Sequence, residues 1–149
     1  MSFERNIKIS QLMTTEVISI NSDDNLLKVE EIFNTHDFHH LPVVDENNVV
    51  IGIISRQEFH KMQHSLTIFK TQSAKKHNQS IFNATLVGEI MAKKVAKLSP
   101  EDTALVAVGF FRENLFHALP IVDKEGKLVG ILTTYDLLTY AYNEPIFIA

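Results

Sequence analysis

The hydrophobic residues in the first third of the chain predict a helix followed by a β-hairpin. Apolar positions at helical spacing begin at Leu26 and continue for about three turns. Two apolar runs follow, Leu41–Val44 and Val49–Ile54, and the four polar residues between them predict a hairpin loop. Ahead of the helix, Val17–Ile20 predicts a brief strand, and a second helix is expected from Ser55. The predicted order is β-α-β-β-α.

The same pattern returns later in the chain without insertion or deletion. Phe38-His-His-Leu-Pro-Val-Val-Asp45 becomes Phe116-His-Ala-Leu-Pro-Ile-Val-Asp123, so Pro42 corresponds to Pro120 at an offset of 78 residues. The second copy predicts a strand at Val95–Leu98, a helix from Leu105, hairpin strands Leu119–Val122 and Leu128–Leu132, and a helix from Thr133. A short helical turn precedes each copy, at Ile9–Met13 and Val87–Met91. Two units of about 55 residues, each marginal alone, can share a core about a pseudo-two-fold axis.

Helix-start and linker signals complete the predicted organisation. Asn21–Asp24 and Ser99–Asp102 resemble capping sequences, so the first helix of each copy is expected to start there. Apolar residues continue at helical spacing beyond Met62, which predicts that the second helix runs to about Lys70. A polar loop is expected over Thr71–Ser80 and contains the basic Lys75-Lys76-His77 cluster. The predicted boundaries are residues 8–64 and 86–142 for the copies, 65–85 for the helix extension and polar linker, and 143–149 for an apolar tail.

Composition describes an ordinary soluble protein whose charge is unevenly placed. The 149 residues hold 14 Lys and Arg against 18 Asp and Glu, a net charge of −4, and 45% are hydrophobic. Between Lys70 and Lys97 there are six lysines and one glutamate, so this stretch carries +5 and the remainder −9. Overall acidity argues against a general nucleic-acid binder, and no apolar run approaches the roughly 18 residues of a membrane span. The lack of cysteine excludes disulfides and thiolate chemistry and suits a cytoplasmic protein.

The repeated motifs resemble a known family, the tandem pair of CBS domains called a Bateman module. Each copy has an opening methionine, Met13 or Met91, and a Leu-Pro-[Val/Ile]-Val-Asp strand. Each also has Gly-Ile-[Ile/Leu] and a final [Ser/Thr]-x-x-[Asp/Glu]. The resemblance implies an α/β (α+β) fold in which two pseudo-two-fold-related motifs pack as one module with a cleft for each copy. It also implies a regulatory protein rather than an enzyme. Because such pairs often associate into dimers, a homodimer is expected, and an unidentified effector protein is expected as a further partner, since no effector domain is evident in the sequence.

The ligand that the resemblance implies contains adenosine: AMP, ADP or ATP, with S-adenosylmethionine a weaker expectation and no cofactor required. Thr133-Thr-Tyr-Asp136 matches the family element, in which the Asp binds the ribose hydroxyls and the Thr assists at phosphate. The backbone of the first strand is expected to meet adenine. The candidate residues of this main site are Thr133, Asp136, Val95, Ala96 and Ile131, with Lys93, Lys94, His39 and His40 neutralising phosphate.

The first copy predicts a weaker site. Ser55-Arg-Gln-Glu58 departs from the family element, because Glu58 carries one methylene more than Asp. Arg56 is open to two interpretations, assisting phosphate or filling the cleft. The candidate residues here are Ile18, Ser55, Arg56, Glu58 and His117.

Other functions stay open on the residues alone. The same elements are also capping boxes that need no ligand, which leaves a structural homodimerisation module with vacant clefts as the alternative. Seven histidines, among them the i,i+4 pair His60 and His64, raise a less favoured metal sensor, although spacing marks no third ligand and no metal site is predicted. No nucleophile elbow, Walker loop or spaced carboxylate pair indicates catalysis.

Overall fold

The computed structural model describes residues 6–66, 72–113 and 117–142, and it confirms the predicted mixture of helices and strands. A one-turn 3-10 helix at Ile9–Gln11 comes first. The strands are β1 (Ile20–Asn21), β2 (His40–Val44), β3 (Val50–Ser55), β4 (Ala118–Val122) and β5 (Leu128–Thr133). The helices are α1 (Leu26–Thr35), α2 (Arg56–Leu66), α3 (Gln72–Ala84), α4 (Val87–Ile90), α5 (Ala104–Arg112) and α6 (Thr134–Ala141).

Both predicted hairpins form, with equivalent register. Strands β2 and β3 pair antiparallel with Pro42 opposite Ile53, and β4 and β5 pair with Pro120 opposite Ile131. In each loop an aspartate side chain accepts backbone hydrogen bonds; Asp45 Oδ1 lies 2.8 Å from one backbone nitrogen and 3.0 Å from a second. The loops end at Asn48 (φ 65°) and Gly126 (φ 83°), which explains an asparagine and a glycine at one repeat position.

The described residues form two compact units that do not coincide with the sequence repeats. The first-repeat unit spans Ile18–Val95, whereas the second-repeat unit joins residues 6–17 to residues 96–142. Each has its own buried core. The first core contains Ile20, Leu26, Val29, Phe33, Leu41, Val43, Ile54, Phe59, Phe82 and Val87, and the second contains Ile9, Leu98, Ala104, Ala107, Leu119, Ile121, Leu132 and Leu137.

The segment that opens each repeat is therefore built into the unit of the other repeat. We call residues 7–14 and 85–92 the opening segments. Thr14 exchanges two backbone hydrogen bonds with Ile131, at 2.9 and 3.0 Å, and Ala92 does the same with Ile53, at 3.0 and 3.1 Å. Further along, Ile9 N–H donates to Asp102 at 2.8 Å. Every one of these contacts has a counterpart at the 78-residue offset, so the exchange follows the repeat symmetry.

A methionine on each opening segment packs over a glycine of the hairpin. The Met13 side chain lies over Gly130, and the Met91 side chain lies over Gly52. A Cβ at Gly130 would come within 2.6 Å of the Met13 Sδ and 3.0 Å of the Thr14 carbonyl oxygen. Each opening methionine of the repeat therefore contacts a hairpin glycine, which explains why both residues recur in the two copies.

An exposed ion pair adds to the contacts of the first opening segment. Lys8 Nζ lies 2.7 Å from a carboxylate oxygen of Glu101. The hydrogen bond and the opposite charge hold the pKa of Glu101 below its usual value and raise the pKa of Lys8. Because both side chains are largely solvated, this pair contributes little to stability.

Two sets of predicted boundaries are wrong. The strand expected at Val17–Ile20 is Ile20–Asn21, and the one expected at Val95–Leu98 is a single bridge between Leu98 and Ile121. The first helices begin at Leu26 and Ala104 rather than in the capping sequences before them. Those sequences instead close turns, since Asp102 Oδ2 accepts from the Ser99 N–H at 2.8 Å, and their backbone carbonyls accept hydrogen bonds from the opening segments.

The loop predicted over Thr71–Ser80 is also wrong, because α3 begins at Gln72 and runs to Ala84. Most residues of α3 are polar, so the sequence pattern did not indicate the few apolar residues with which the helix packs against α1. Phe82 is buried with its ring centroid 5.9 Å from that of Phe59, and the Asn25 side-chain amide donates to Asn83 at 3.1 Å. Lys76 and His77 are exposed on this helix.

Two further predictions lie outside the described residues. The expected end of the second helix near Lys70 is one, since α2 is described to Leu66. The apolar tail, residues 143–149, is the other.

Replacing Gly52 by alanine tests the methionine–glycine contact. The new Cβ would overlap the Met91 side chain and approach the Ala92 carbonyl oxygen at 3.0 Å, so we expect a loss of about 1–3 kcal/mol in the free energy of unfolding. Urea denaturation measures it. The matched control is Gly109→Ala in α5, where nothing lies within 4 Å of the added Cβ and a gain of up to about 1 kcal/mol is expected. If Gly52→Ala and Gly109→Ala changed the free energy of unfolding by the same amount, the methionine–glycine contact would be contradicted.

Candidate ligand-binding site

The start of α6 carries a closed pair of hydrogen bonds. Thr133 Oγ1 accepts from the Asp136 N–H at 3.1 Å, and Asp136 Oδ2 accepts from the Thr133 N–H at 2.9 Å. Both residues are half-buried. The capping pair engages one carboxylate oxygen, and an ionised carboxylate has about four acceptor positions, so the other oxygen can still accept from a ligand. Capping and ribose binding are therefore compatible at Asp136.

The equivalent turn of the first repeat is arranged differently. Ser55 Oγ accepts from the Glu58 N–H at 3.1 Å, as in the second repeat. The Glu58 carboxylate instead lies 3.7 Å from Lys61 Nζ, with 74% of its side chain exposed. The extra methylene carries this carboxylate into solvent, whereas the shorter Asp136 stays against the backbone.

Arg56 makes its hydrogen bonds within the first-repeat unit. Its Nε donates to the Phe38 carbonyl at 3.0 Å, and its Nη2 donates to the carbonyls of His36 at 2.6 Å and Phe38 at 2.9 Å. The guanidinium also stacks over the Phe33 ring, 5.0 Å from the centroid. Arg56 is thus a clamp on the segment between α1 and β2, a third role beside the two interpretations that the sequence left open.

The three apolar candidates Ile131, Ala96 and Ile18 lie in or just before strands. Ile131 uses both its N–H and its carbonyl on Thr14, and its side chain is half-buried. Ala96 packs against the second core just before Leu98 joins β4. Ile18, its repeat equivalent, is 37% exposed just before β1.

The histidines recurring in the two copies have a shared backbone role. The His39 carbonyl accepts from the Arg56 N–H at 2.7 Å, and the His117 carbonyl accepts from the Thr134 N–H at 3.2 Å. Each bond ties the start of a hairpin to the first residue of the following helix. Both side chains are exposed, whereas that of His40 is half-buried.

The candidate residues of the main site fall in both compact units. Thr133, Asp136, Ile131 and Ala96 belong to the second-repeat unit. The first-repeat unit contains the exposed Lys93 and Lys94, the half-buried Val95, and His39 and His40.

The described residues contain neither a group of side chains placed to share a metal ion nor a helix suited to span a membrane. His60 and His64 are both exposed on α2, and across the described ranges no three His, Cys, Asp or Glu side chains are placed to share a metal ion. None of the helices in the described part of the chain combines the length and apolar character needed to cross a membrane.

Comparison with known proteins identifies the family. The model of the CBS domain matches residues 9–64 and 87–143, so the chain belongs to the CBS domain family and carries two copies of the motif. It is a CBS-pair regulatory module in fold. This confirms the family that the repeated motifs resemble.

Solved structures share this fold, and curated proteins are similar in sequence. The CBS domain of a CBS domain-containing membrane protein of Sphaerobacter thermophilus is 26% identical, with a TM-score of 0.76 over 91% of this chain and 88% of that one. CBSX2 of Arabidopsis thaliana, solved in complex with AMP, has a TM-score of 0.75 at 22% identity and covers 92% and 97% of the chains. An inosine-5'-monophosphate dehydrogenase of Methanocaldococcus jannaschii is 26% identical over 131 residues. That match covers 88% of this chain but only 23% of the dehydrogenase.

Replacing Arg56 by lysine tests the clamp. Lysine keeps the charge but cannot reproduce the fork that binds two carbonyls, so we expect a loss of about 1–3 kcal/mol in unfolding free energy. Chemical denaturation measures it, with the neighbouring exposed Gln57→Ala as control. An Arg56→Lys protein as stable as that control would refute the clamp.

Proposed function

We propose that this chain is a non-catalytic regulatory module that binds an adenosine-containing ligand of the AMP, ADP and ATP class and transmits its occupancy to a partner protein. The main site is the one built on Thr133 and Asp136. The observation that carries the proposal is the closed hydrogen-bond pair at the start of α6, which fixes a half-buried carboxylate with acceptor capacity to spare.

The chemistry of this turn suits a nucleoside. A carboxylate accepts hydrogen bonds from both vicinal hydroxyls of a ribose, and charge-assisted hydrogen bonds are the stronger kind. Because Asp136 is held by the Thr133 N–H, its position is set before a ligand arrives. The solvated Glu58 lacks this preorganisation, which favours unequal sites.

Two further observations support the ligand class. The AMP complex of CBSX2 shows that a protein of this fold binds an adenine nucleotide, and this chain retains the family's Thr-x-x-Asp element in its second copy. Lys93, Lys94, His39 and His40 are the candidates for phosphate neutralisation, the lysines being exposed. Lys93 and Lys94 correspond to Thr15 and Glu16 in the first copy, so this basic character belongs to one copy only.

A structural module that associates without a ligand is the second candidate function. Large apolar side chains exposed on α5 and α6 favour it, since a nucleotide site does not require them.

Titration calorimetry with AMP, ADP, ATP and S-adenosylmethionine tests the ligand proposal. We expect binding of at least one adenine nucleotide by the unmodified protein and a loss of roughly tenfold or more in affinity for Asp136→Asn, which removes the charge but keeps the shape. Glu58→Gln is the matched control at the equivalent position and is expected to bind as the unmodified protein does.

Two results would reject the proposal. Failure of all four compounds to bind at millimolar concentration would exclude the adenosine ligand. Normal binding by Asp136→Asn together with lost binding by Glu58→Gln would move the site to the first repeat. A thermal melt of each variant, with and without ligand, shows whether a loss of binding reflects unfolding instead.

A further inference from the structure

Methionine is the only sulfur-containing residue type in this chain. The sequence has four methionines and neither cysteine nor tryptophan, so thioether sulfur is its most readily oxidised group. Met13 and Met91 stand at the same repeat position, and each packs over a hairpin glycine. The other two, Met1 and Met62, have no methionine at the 78-residue offset. Oxidisable sulfur therefore recurs only at the contact between an opening segment and a hairpin.

The sulfur of each opening methionine lies directly against the hairpin backbone. A Cβ at Gly130 would come within 2.6 Å of the Met13 Sδ, and a Cβ at Gly52 would overlap the Met91 Sδ. Oxidation adds an oxygen to the sulfur and turns a flexible apolar side chain into a polar one. Because a close-packed contact has little room for an added atom, and a polar group buried without a partner costs free energy, a sulfoxide disfavours this packing.

A small oxidant can reach both opening methionines. Met13 and Met91 are half-buried rather than enclosed. The residue that follows each of them, Thr14 or Ala92, is exposed. The contact thus lies near the surface of each unit while remaining tight enough to respond to an added oxygen.

Few hydrogen bonds hold the end of each opening segment on its hairpin. The pairing of Thr14 with Ile131 is an isolated bridge rather than part of a longer ladder, and so is the pairing of Ala92 with Ile53. Each bridge consists of two backbone hydrogen bonds of 2.9–3.1 Å. Since segments with so few hydrogen bonds open locally at low cost in free energy, loss of the methionine contact is enough to favour the open state.

We propose that Met13 and Met91 are sites of reversible oxidation, and that their conversion to methionine sulfoxide releases each opening segment from the hairpin it completes. A sulfur lone pair attacks one oxygen of hydrogen peroxide, so that an S–O bond forms while the O–O bond breaks. The departing hydroxide takes the proton of the transferred oxygen and leaves as water. Sulfur is oxidised by one electron pair and the peroxide is reduced by the same pair. Methionine sulfoxide reductases, one enzyme for each sulfoxide epimer, restore the thioether with a dithiol as reductant.

Both contacts border residues of the candidate ligand site along the chain. Gly130 directly precedes Ile131 on β5, and Met91 lies two residues before Lys93. An effect of oxidation on nucleotide affinity would rest on the proposed function. Release of the opening segments does not, because it is measured without nucleotide and stands separately from ligand binding.

Peroxide treatment of the full chain without nucleotide tests the proposal. Peptide mass spectrometry locates the added oxygen, and native-state hydrogen exchange reports on the two bridges. We expect oxygen at Met13 and Met91, and we expect exchange at the Thr14 and Ala92 amides to become faster by roughly tenfold or more. Subsequent treatment with the two reductases is expected to restore the original exchange rates.

Leucine variants assign each effect to its own sulfur. Leucine conserves the volume of methionine, cannot be oxidised in this way, and is among the best tolerated core replacements. Met13→Leu is expected to keep Thr14 protected after peroxide while Ala92 still loses protection, and Met91→Leu is expected to do the reverse. Met62→Leu on α2, which is also half-buried, is the matched control and is expected to lose protection at both amides.

Several outcomes would overturn the proposal. One is that Met13 and Met91 stay unoxidised under conditions that fully oxidise free methionine. Another is that both sulfoxides form while Thr14 and Ala92 keep their protection. Loss of protection that the reductases do not reverse, or that persists in a Met13→Leu, Met91→Leu double variant, would place the effect elsewhere. Because reversal is measured on the unmodified protein, the test holds even where a leucine variant fails to fold.

Discussion

Each hairpin of this protein is completed by the opening segment of the other repeat, and the remaining structure depends on that exchange. The pair β4–β5 is a two-stranded sheet, which is marginal by itself in water. In residues 7–14, Thr14 forms backbone hydrogen bonds with β5, and the Met13 side chain packs over the hairpin. The same segment accepts the first N–H of α5 at the Ile7 carbonyl, 2.8 Å away, so it also fixes where that helix begins. Residues 85–92 do the equivalent for the first repeat.

This arrangement explains which features of the fold were predictable. The hairpins follow from pairs of apolar runs separated by short polar loops, and the starts of α2 and α6 follow from Ser55 and Thr133, because both signals are local. The start of α5 depends on a partner far away in sequence, the Ile7 carbonyl, whereas α1 combines such a partner with a local cap in which the Asn25 side chain accepts from the Lys28 N–H. The carbonyls of Asp24 and Asp102, where the sequence predicted the helix starts, accept hydrogen bonds from the opening segments instead. The spacing of apolar residues along the chain does not indicate hydrogen bonds between segments so far apart in sequence. The helix α3 escaped prediction because polar residues outnumber the few, including Phe82, that it buries.

The sequence nominates the residues of the candidate site, and the structure adds the local geometry around several of them. A single methylene separates Asp136 from Glu58, and the sequence alone predicted that it matters. The structure adds the cause, since the shorter side chain closes onto the Thr133 N–H while the longer one points to Lys61. The role of Arg56 needed coordinates, because its partners are backbone carbonyls of His36 and Phe38, which leave no trace in residue types. Repetition thus lets one framework hold a preorganised carboxylate in one copy and a structural clamp in the other.

Native-state hydrogen exchange, measured residue by residue, tests the exchange of opening segments most directly. In the unmodified protein the Thr14 and Ala92 amides are both expected to be protected, because each donates to the hairpin of the opposite repeat. In Gly130→Ala, which crowds Met13, protection is expected to fall at Thr14, more than a hundred residues away in sequence, while Ala92 is unchanged. Lost protection at Ala92 with Thr14 unaffected, or no change at either amide, would contradict the account.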